Sequence, residues 1–276
     1  MVVKLPVDIL VVALPVLYAG IVAVYAVTFF GSNSPLERLK RPLLIILILV
    51  HFVYLNLRTF AFDHPPITTV FEILTLLAAS MSVAYLYIEY RTNVRNTGLF
   101  VLFLALVFQT VSSLFIKDLL VIPDYLHSML LGFHVSTALL GYTALALSAV
   151  YGLLYLMLYH EMKSTRFGMI YKRLPNLETL ERMSHKAEIF GFAMLTVAIV
   201  VGLVWLPRAF ESFSYLDPKL IGSLVIWVLY AVGLFAKRSL GWQGRKTMIL
   251  SLVAFGFVFL SMTVINLYLS GFHSFR

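Results

Sequence analysis

The sequence predicts an all-α, polytopic integral membrane protein, a bundle of about eight transmembrane helices with both termini on the outer side. Three observations predict this class: an apolar composition, long apolar runs, and an uneven distribution of lysine and arginine. The chain has 276 residues, of which 61% are hydrophobic and 12% are charged. Open strands would leave backbone groups unsatisfied in lipid, so the runs are predicted to be helices.

Eight apolar runs are long enough to cross a bilayer, which takes about 20 residues because the hydrocarbon core is about 30 Å thick and a helix rises about 1.5 Å per residue. The first is kept as a span because no convincing small-residue cleavage site follows it. No internal repeat or soluble domain is visible, so residues 1–276 are predicted to form a single membrane domain. The runs lie near residues 9–30, 42–61, 67–88, 98–116, 129–158, 187–206, 220–236 and 248–269.

Basic residues set the predicted orientation. The segments after spans 1, 3, 5 and 7 hold fifteen lysines and arginines, whereas the opposite face holds five: Lys4, Lys117, Arg208, Lys219 and Arg276. By the positive-inside rule, the richer face is cytoplasmic and both termini are outside. The net charge of +8 therefore reflects topology, and a nucleic-acid partner is not predicted. The longest loop, about 160–186, is basic and predicted to be cytoplasmic.

An aromatic segment, "VWLPRAFESFSYLDPK" at 204–219, lies between the sixth and seventh spans on the predicted outer face. Two histidines lie at the same depth, since His134 opens the fifth span and His273 closes the eighth. A neutral imidazole at a helix end beside aromatic faces is a plausible axial ligand for haem iron, and Arg208, Lys219 or Lys117 could meet its propionates. Aromatic residues also gather at membrane interfaces as belts, and the residues alone leave both interpretations open.

Four stretches in the second half of the chain carry a family resemblance. They are "FHVSTALLGYTALALSAVYGLLYL", "LPNLETLERMSHKAEIFGFAMLTVAIVVGLVW", "LDPKLIGSLVIWVLYAVGLFAKRSLGWQGR" and the terminal "GFHSF", with a weaker match in "HPPITTVFEILTLLA". In these the chain resembles the cytochrome c assembly family of haem-handling membrane proteins, whose members include CcsA, CcmC and CcmF and the related HemX proteins. The resemblance makes residues 129–276 the haem-handling core and 1–128 a set of weaker-matching helices.

The resemblance implies that a tryptophan-rich outer loop, roughly W-G-x-x-W-x-W-D, presents haem between two histidine-bearing segments. On this sequence the loop falls on 205–219, and the axial ligands fall on His134 and His273. The cofactor is expected to be haem b. The implied cofactor-binding residues are His134, His273, Trp205, Phe210, Phe213, Tyr215, Asp217 and Arg208.

Two departures from the family pattern favour a particular branch. Phe210, Ser214 and Leu216 stand where the later tryptophans are expected, and Phe235 stands where many members carry a membrane histidine. The chain is therefore most similar to the HemX-like and CcsA-like branch, with a degenerate tryptophan-rich motif.

The sequence and the resemblance are compatible with three functions. The first is a haem-binding protein that holds and presents haem at the outer face for cytochrome c biogenesis, with a second assembly subunit and apocytochrome c as partners. The alternative is a HemX-like regulator of haem biosynthesis that acts through 160–186 on a cytoplasmic enzyme. A transporter is less favoured because no inverted repeat is evident. The expected location is a bacterial-type cytoplasmic membrane, and a haem-handling component is favoured over a self-contained enzyme.

Polar residues inside the predicted spans have a structural and a functional interpretation. His51, at the middle of span 2, is either hydrogen-bonded to a neighbouring helix or an internal haem ligand. Glu72 forms an ion pair with Arg58 or His64, or contacts a propionate. His64 and His127 are spare ligand candidates. A face of small residues on span 5 predicts close helix packing: Gly141, Ala144, Ser148 and Gly152.

Overall fold

A computed structural model describes residues 4–31, 35–92, 94, 96–118, 128–165, 167–209 and 216–261. Every regular element in these ranges is helical. A short 3-10 turn covers Pro35–Arg38. The α-helices are α1 Lys4–Phe30, α2 Lys40–Phe62, α3 Val70–Thr92, α4 Gly98–Phe115, α5 Met129–Lys163, α6 Met169–Arg173, α7 Leu177–Ala209, α8 Pro218–Ser239 and α9 Arg245–Leu260.

The predicted helical membrane architecture is confirmed. Within the described ranges, seven helices are long and apolar enough to cross a membrane, namely α1 to α5, α7 and α8. The eighth predicted span, 248–269, corresponds to α9 as far as Leu260 and otherwise lies outside the described residues. The orientation of the termini stays a prediction.

The segment 160–186 is largely helical, so its interpretation as a loop was wrong for most of its length. α5 continues to Lys163, and α7 begins at Leu177. Asn176 starts α7 with its side chain, whose Oδ1 accepts a hydrogen bond from the backbone N–H of Thr179 at 2.9 Å. A short polar side chain at this position is a strong helix start, and the turns that follow are rich in good helix formers.

The chain divides into two compact units, Met1–Pro123 and Asp124–Arg276. In the first unit, α1 packs against α2 and α4, and α3 packs against α4 and α2. In the second unit, α5 packs against α7 and α9, and α8 packs against α9 and α7. Each unit therefore contains a four-helix arrangement with its own interior.

His51 lies in the interior of the first unit, as one of its two interpretations predicted. Its Nδ1 is 2.9 Å from the hydroxyl of Tyr18, and its Nε2 is 2.9 Å from Oγ1 of Thr75. Thr75 donates in turn to Oε1 of Gln109 at 2.7 Å. The hydrogen-bonded interpretation is confirmed, and both ring nitrogens are occupied by protein partners.

The predicted ion pair of Arg58 and Glu72 is also confirmed. Nε of Arg58 donates to Oε1 of Glu72 at 2.9 Å, and both side chains are 1% exposed. The same guanidinium donates to the carbonyl oxygen of Lys117 at 2.8 Å and forms a 3.3 Å ion pair with Asp118. The other carboxylate oxygen of Glu72 accepts from the backbone N–H and hydroxyl of Thr68. A buried charge needs this degree of pairing, because desolvation is costly.

Small residues on α5 bring α7 and α9 close, as the sequence predicted. A Cβ at Gly141 would lie 3.2 Å from the backbone nitrogen of Leu195, and one at Gly152 would lie 3.5 Å from the carbonyl oxygen of Met248. The hydroxyl of Ser148 lies 3.0 Å from that of Ser184 and 3.1 Å from that of Ser251. Close backbone approach of this kind is the usual packing mode of membrane helices.

The antiparallel pair of α5 and α7 keeps one register over its length. His134 contacts Ala198, Gly141 contacts Gly191, and Ser148 contacts Ser184. Each step of seven residues along α5 is matched by seven residues back along α7, which is the repeat of helices that wind around one another. This register decides which α7 groups face His134.

Candidate functional site

His134 lies near the start of α5, and α7 holds its ring by a hydrogen bond. The ring Nδ1 is 2.7 Å from the carbonyl oxygen of Ala198. Because a carbonyl oxygen can only accept, Nδ1 carries the proton, and the lone pair of the neutral ring lies on Nε2. Among the described residues, no hydrogen bond to Nε2 occurs. A histidine oriented in this way through its other nitrogen is the usual form of a metal ligand.

Gly202 provides the space that the ring occupies. A Cβ at this position would lie 2.8 Å from Cε1 and 2.9 Å from Nδ1 of His134, distances that ordinary contacts do not reach. Ala198 and Gly202 are four residues apart and therefore neighbours on one face of α7. The carbonyl oxygen of Ala198 holds the ring by a hydrogen bond, and Gly202, one turn later, leaves the space that the ring fills.

Trp205 lies on the same face of α7, three residues after Gly202. The predicted loop 205–219 begins later than expected, because α7 continues through Pro207 to Ala209. Trp205 is 4% exposed, so its ring packs inside the second unit. Arg208, near the end of the helix, is exposed.

Asp217 starts α8. Its side chain accepts a hydrogen bond from the backbone N–H of Lys219 at 2.8 Å, and Pro218 occupies the first turn of the helix. An aspartate cap followed by proline is a common helix start. This cap gives Asp217 a structural role and fixes the start of the helix that carries Lys219.

Several predicted site residues lie outside the described residues. They are His127, Phe210, Phe213, Tyr215 and His273. The second axial ligand and most of the aromatic platform therefore stay predictions.

The structure describes Phe235, which stands where many family members carry a membrane histidine. Phe235 is 62% exposed on the surface of α8. His51 has both ring nitrogens bonded to protein, and His64 is buried with its Nδ1 3.0 Å from the carbonyl oxygen of Pro65. His134 has the geometry of an oriented ligand, because the carbonyl oxygen of Ala198 holds its Nδ1.

Haem and a bare metal ion need different numbers of donors from the protein. In the described ranges, no group of three or more His, Asp or Glu side chains could hold a metal ion. A haem brings four nitrogen donors of its own and needs only axial ligands from the protein. His134 supplies one such donor.

Sequence reasoning missed Ala198 and Gly202. Ala198 contributes a backbone carbonyl, which leaves no trace in the sequence. Gly202 does leave a trace, since a glycine within the apolar run "IVVGLVW" indicates close approach by another group.

These features define a polytopic helical membrane protein with an oriented histidine near the start of its central helix. The chain belongs to the cytochrome C assembly protein family, whose model matches residues 67–273. Membership supports a role in cytochrome c assembly and implies the handling of haem and an interaction with apocytochrome c.

Some of the similar proteins are named CcsA and others HemX. The chain is 28% identical over 230 residues to the cytochrome c biogenesis protein CcsA of Guillardia theta, a match that covers 76% of each chain. It is 27% identical over 239 residues to protein HemX of Bacillus subtilis (strain 168), covering 83% of this chain and 84% of the relative. A shorter match to CcsA of Thermosynechococcus vestitus is 38% identical over 104 residues, 38% of this chain and 33% of that protein.

Proposed function

We propose that this chain holds haem at the predicted outer end of its second unit and presents it for cytochrome c biogenesis. The observation that supports this most strongly is the orientation of His134, whose Nδ1–H is donated to Ala198 while Nε2 keeps its lone pair. When bound, haem supplies the ring edge that is attached to a cytochrome. The thiols for that attachment come from the apocytochrome, since this chain has no cysteine.

The proposed roles of the individual residues combine the family resemblance with the positions of those residues that the structure describes. His134 is the first axial ligand, and His273 is the second by resemblance to the family. Lys219 and Arg208 supply positive charge for the propionates, which are carboxylates. By resemblance to the family, the rings of Trp205, Phe210, Phe213 and Tyr215 form the platform. The Asp217 cap fixes the start of α8.

The proposed cofactor is haem b. Ligation and packing would hold it, because this chain has no cysteine thiols for covalent attachment. The proposed location is a bacterial-type cytoplasmic membrane with both termini outside.

Absorption spectra test the proposal directly. The full chain is purified in detergent as the parent, His134→Ala and His273→Ala, with His51→Ala as a matched buried-histidine control. We expect a bis-imidazole haem spectrum in the parent and in His51→Ala, and its loss or conversion in the other two variants. An unchanged spectrum in both His134→Ala and His273→Ala would remove the ligand assignment.

A regulatory function is the second candidate, and the similarity to HemX over most of both chains favours it. The described residues of the basic segment 160–186 are held in an ordered arrangement, with exposed side chains that a partner could contact. Glu161 orders it, because one of its carboxylate oxygens accepts from the backbone N–H of Gly168 at 3.1 Å and of Tyr171 at 2.8 Å. Phe167 and Tyr171 are exposed beside each other, with ring centroids 4.7 Å apart. Basic charge around exposed aromatic rings suits a soluble partner.

Neutralising that surface separates the two functions. In the triple variant Lys163→Gln, Lys172→Gln and Arg173→Gln, regulation would be lost and cytochrome c maturation retained. The readouts are the cellular level of haem-synthesis enzymes and the amount of mature cytochrome c. If maturation falls while enzyme levels stay constant, the segment serves assembly and the regulatory proposal is wrong.

A further inference from the structure

A groove opens at the predicted cytoplasmic end of the second unit, away from His134. It lies between the later turns of α5, the start of α7 and the turn that joins α8 to α9, and its volume is about 640 Å³. The lining residues that matter are Tyr155, Tyr159, Gly244, Arg245, Lys246 and Ile249.

The start of α9 gives this groove an affinity for anions. α9 begins at Arg245 after Gly244, and no side chain caps it. The first N–H groups of a helix have no partner within the helix, and the helix dipole places partial positive charge there. Arg245 and Lys246 add two full positive charges at the same point.

A second and independent feature is the hydroxyl group of Tyr155. The residue is 7% exposed, lines the groove, and makes no hydrogen bond to any residue in the described ranges. A Cβ at position 244 would lie 2.6 Å from this hydroxyl oxygen, and Gly244 has a positive φ of 61°. Glycine thus lets the uncapped helix start and the unpaired hydroxyl lie side by side.

The acidic residue in the lining does not oppose an anion. Oε1 of Glu181 accepts from Nζ of Lys237 at 2.7 Å and from the backbone N–H of Gly244 at 3.1 Å. Its charge is therefore balanced within the wall of the groove. What remains for a ligand is the charge of Arg245 and Lys246.

The surroundings indicate where the anion comes from. Leu240 and Ile249 are exposed apolar residues on either side of the turn, as expected where helices leave the hydrocarbon. The Nζ of Lys246 lies 5.7 Å from the ring centroid of Trp242, and aromatic and basic residues together mark the interface with lipid headgroups.

We propose that this groove binds the phosphate of an anionic phospholipid from the inner leaflet. The amides of the first turn of α9, Arg245 and Lys246 hold the phosphate oxygens, and the hydroxyl of Tyr155 donates the remaining hydrogen bond. The acyl chains leave along the Ile249 side into the bilayer. The site is separate from the proposed haem site and does not depend on it.

Lipid retention measured by native mass spectrometry tests this site. The full chain is taken from nanodiscs that contain phosphatidylglycerol and phosphatidylcholine in equal amounts. The double variant Arg245→Gln, Lys246→Gln is compared with Lys186→Gln, Arg238→Gln, which removes the same charges from exposed positions outside the groove. We expect the first variant to lose at least about tenfold in retained phosphatidylglycerol and the second to behave as the parent. Equal retention in parent and both variants would overturn the proposal.

Two further measurements test the role of the Tyr155 hydroxyl and distinguish a lipid phosphate from free phosphate. Tyr155→Phe removes only the hydroxyl, and we expect a loss of about threefold to tenfold in phosphatidylglycerol retention. This variant decides the question if the charge variant does not fold. In discs of phosphatidylcholine alone, inorganic phosphate is titrated and followed by phosphorus NMR. Phosphate binding that depends on Arg245 and Lys246, without any selective retention of phosphatidylglycerol, would show a site for free phosphate and contradict the lipid assignment.

Discussion

Gly202 faces the imidazole of His134 so closely that a Cβ at position 202 would lie 2.8 Å from the ring carbon Cε1. An added Cβ would be fixed to the backbone of α7 and could not move aside, so the ring of His134 would have to shift. The direction of Nε2 therefore depends on a glycine seven residues before the end of α7 at Ala209.

The first prediction concerns this glycine. Gly202→Val should displace the His134 ring and reduce haem occupancy at least about tenfold, since ligands held by oriented partners lose about 10–100-fold in affinity when the support is changed. Haem per purified protein, from the absorption spectrum, measures the effect. Gly132→Ala is the control, because a Cβ there meets nothing within 4 Å. If the two variants retain equal haem, α7 does not orient the ligand.

The second prediction separates stability from haem binding at His51. Its ring joins α1 to α3 through Tyr18 and Thr75. His51→Ala should lower the stability of the first unit by about 1–3 kcal/mol, because two buried hydrogen bonds and packing volume are lost. Thermal unfolding in detergent checks this. A variant with unchanged stability and no haem would assign His51 to the cofactor instead.

The third prediction concerns the ion pair of Arg58 and Glu72. Arg58→Met alone should destabilise by about 3–5 kcal/mol, because it leaves the buried carboxylate of Glu72 without a cation. Glu72→Leu alone should cost less, because Asp118 still pairs with Arg58. The double variant should cost less than the sum of the two single changes. A double-mutant cycle from unfolding midpoints measures the coupling, and strict additivity would show that the two charges act independently.

The fourth prediction tests the packing of α5 on α7. A Cβ at Gly191 would lie 2.7 Å from Cδ2 of Leu145 and 3.1 Å from the carbonyl oxygen of Gly141. Gly191→Val should therefore destabilise by about 1–3 kcal/mol through overpacking. Gly256→Val is the matched control on α9, where a Cβ meets nothing within 4 Å. Similar unfolding temperatures for both variants would argue against a close contact at Gly191.

The sequence predicted those features that depend on depth and local pattern. Apolar length located the spans, and the cost of polar groups in lipid placed His51 and Glu72 in the interior. The small residues around Ser148 predicted a packing face. These predictions use one helix at a time, so a single sequence is sufficient for them.

The sequence could not supply the helix ends or the partner of His134. α5 and α7 extend past the apolar runs into polar residues, where hydropathy no longer follows the helix. The acceptor at Ala198 is a backbone atom, and only the register between α5 and α7 brings it to the ring. Asp217 was assigned to the cofactor by resemblance, although the Asp-Pro pair is by itself a helix-start pattern.

Electron paramagnetic resonance of the ferric, haem-loaded chain shows whether His134 binds the iron, with the parent compared with His134→Met. We expect a low-spin bis-imidazole signal in the parent and its replacement by a histidine–methionine signal or a high-spin signal in the variant. A variant whose signal is identical to that of the parent would show that the imidazole at position 134 does not bind the iron.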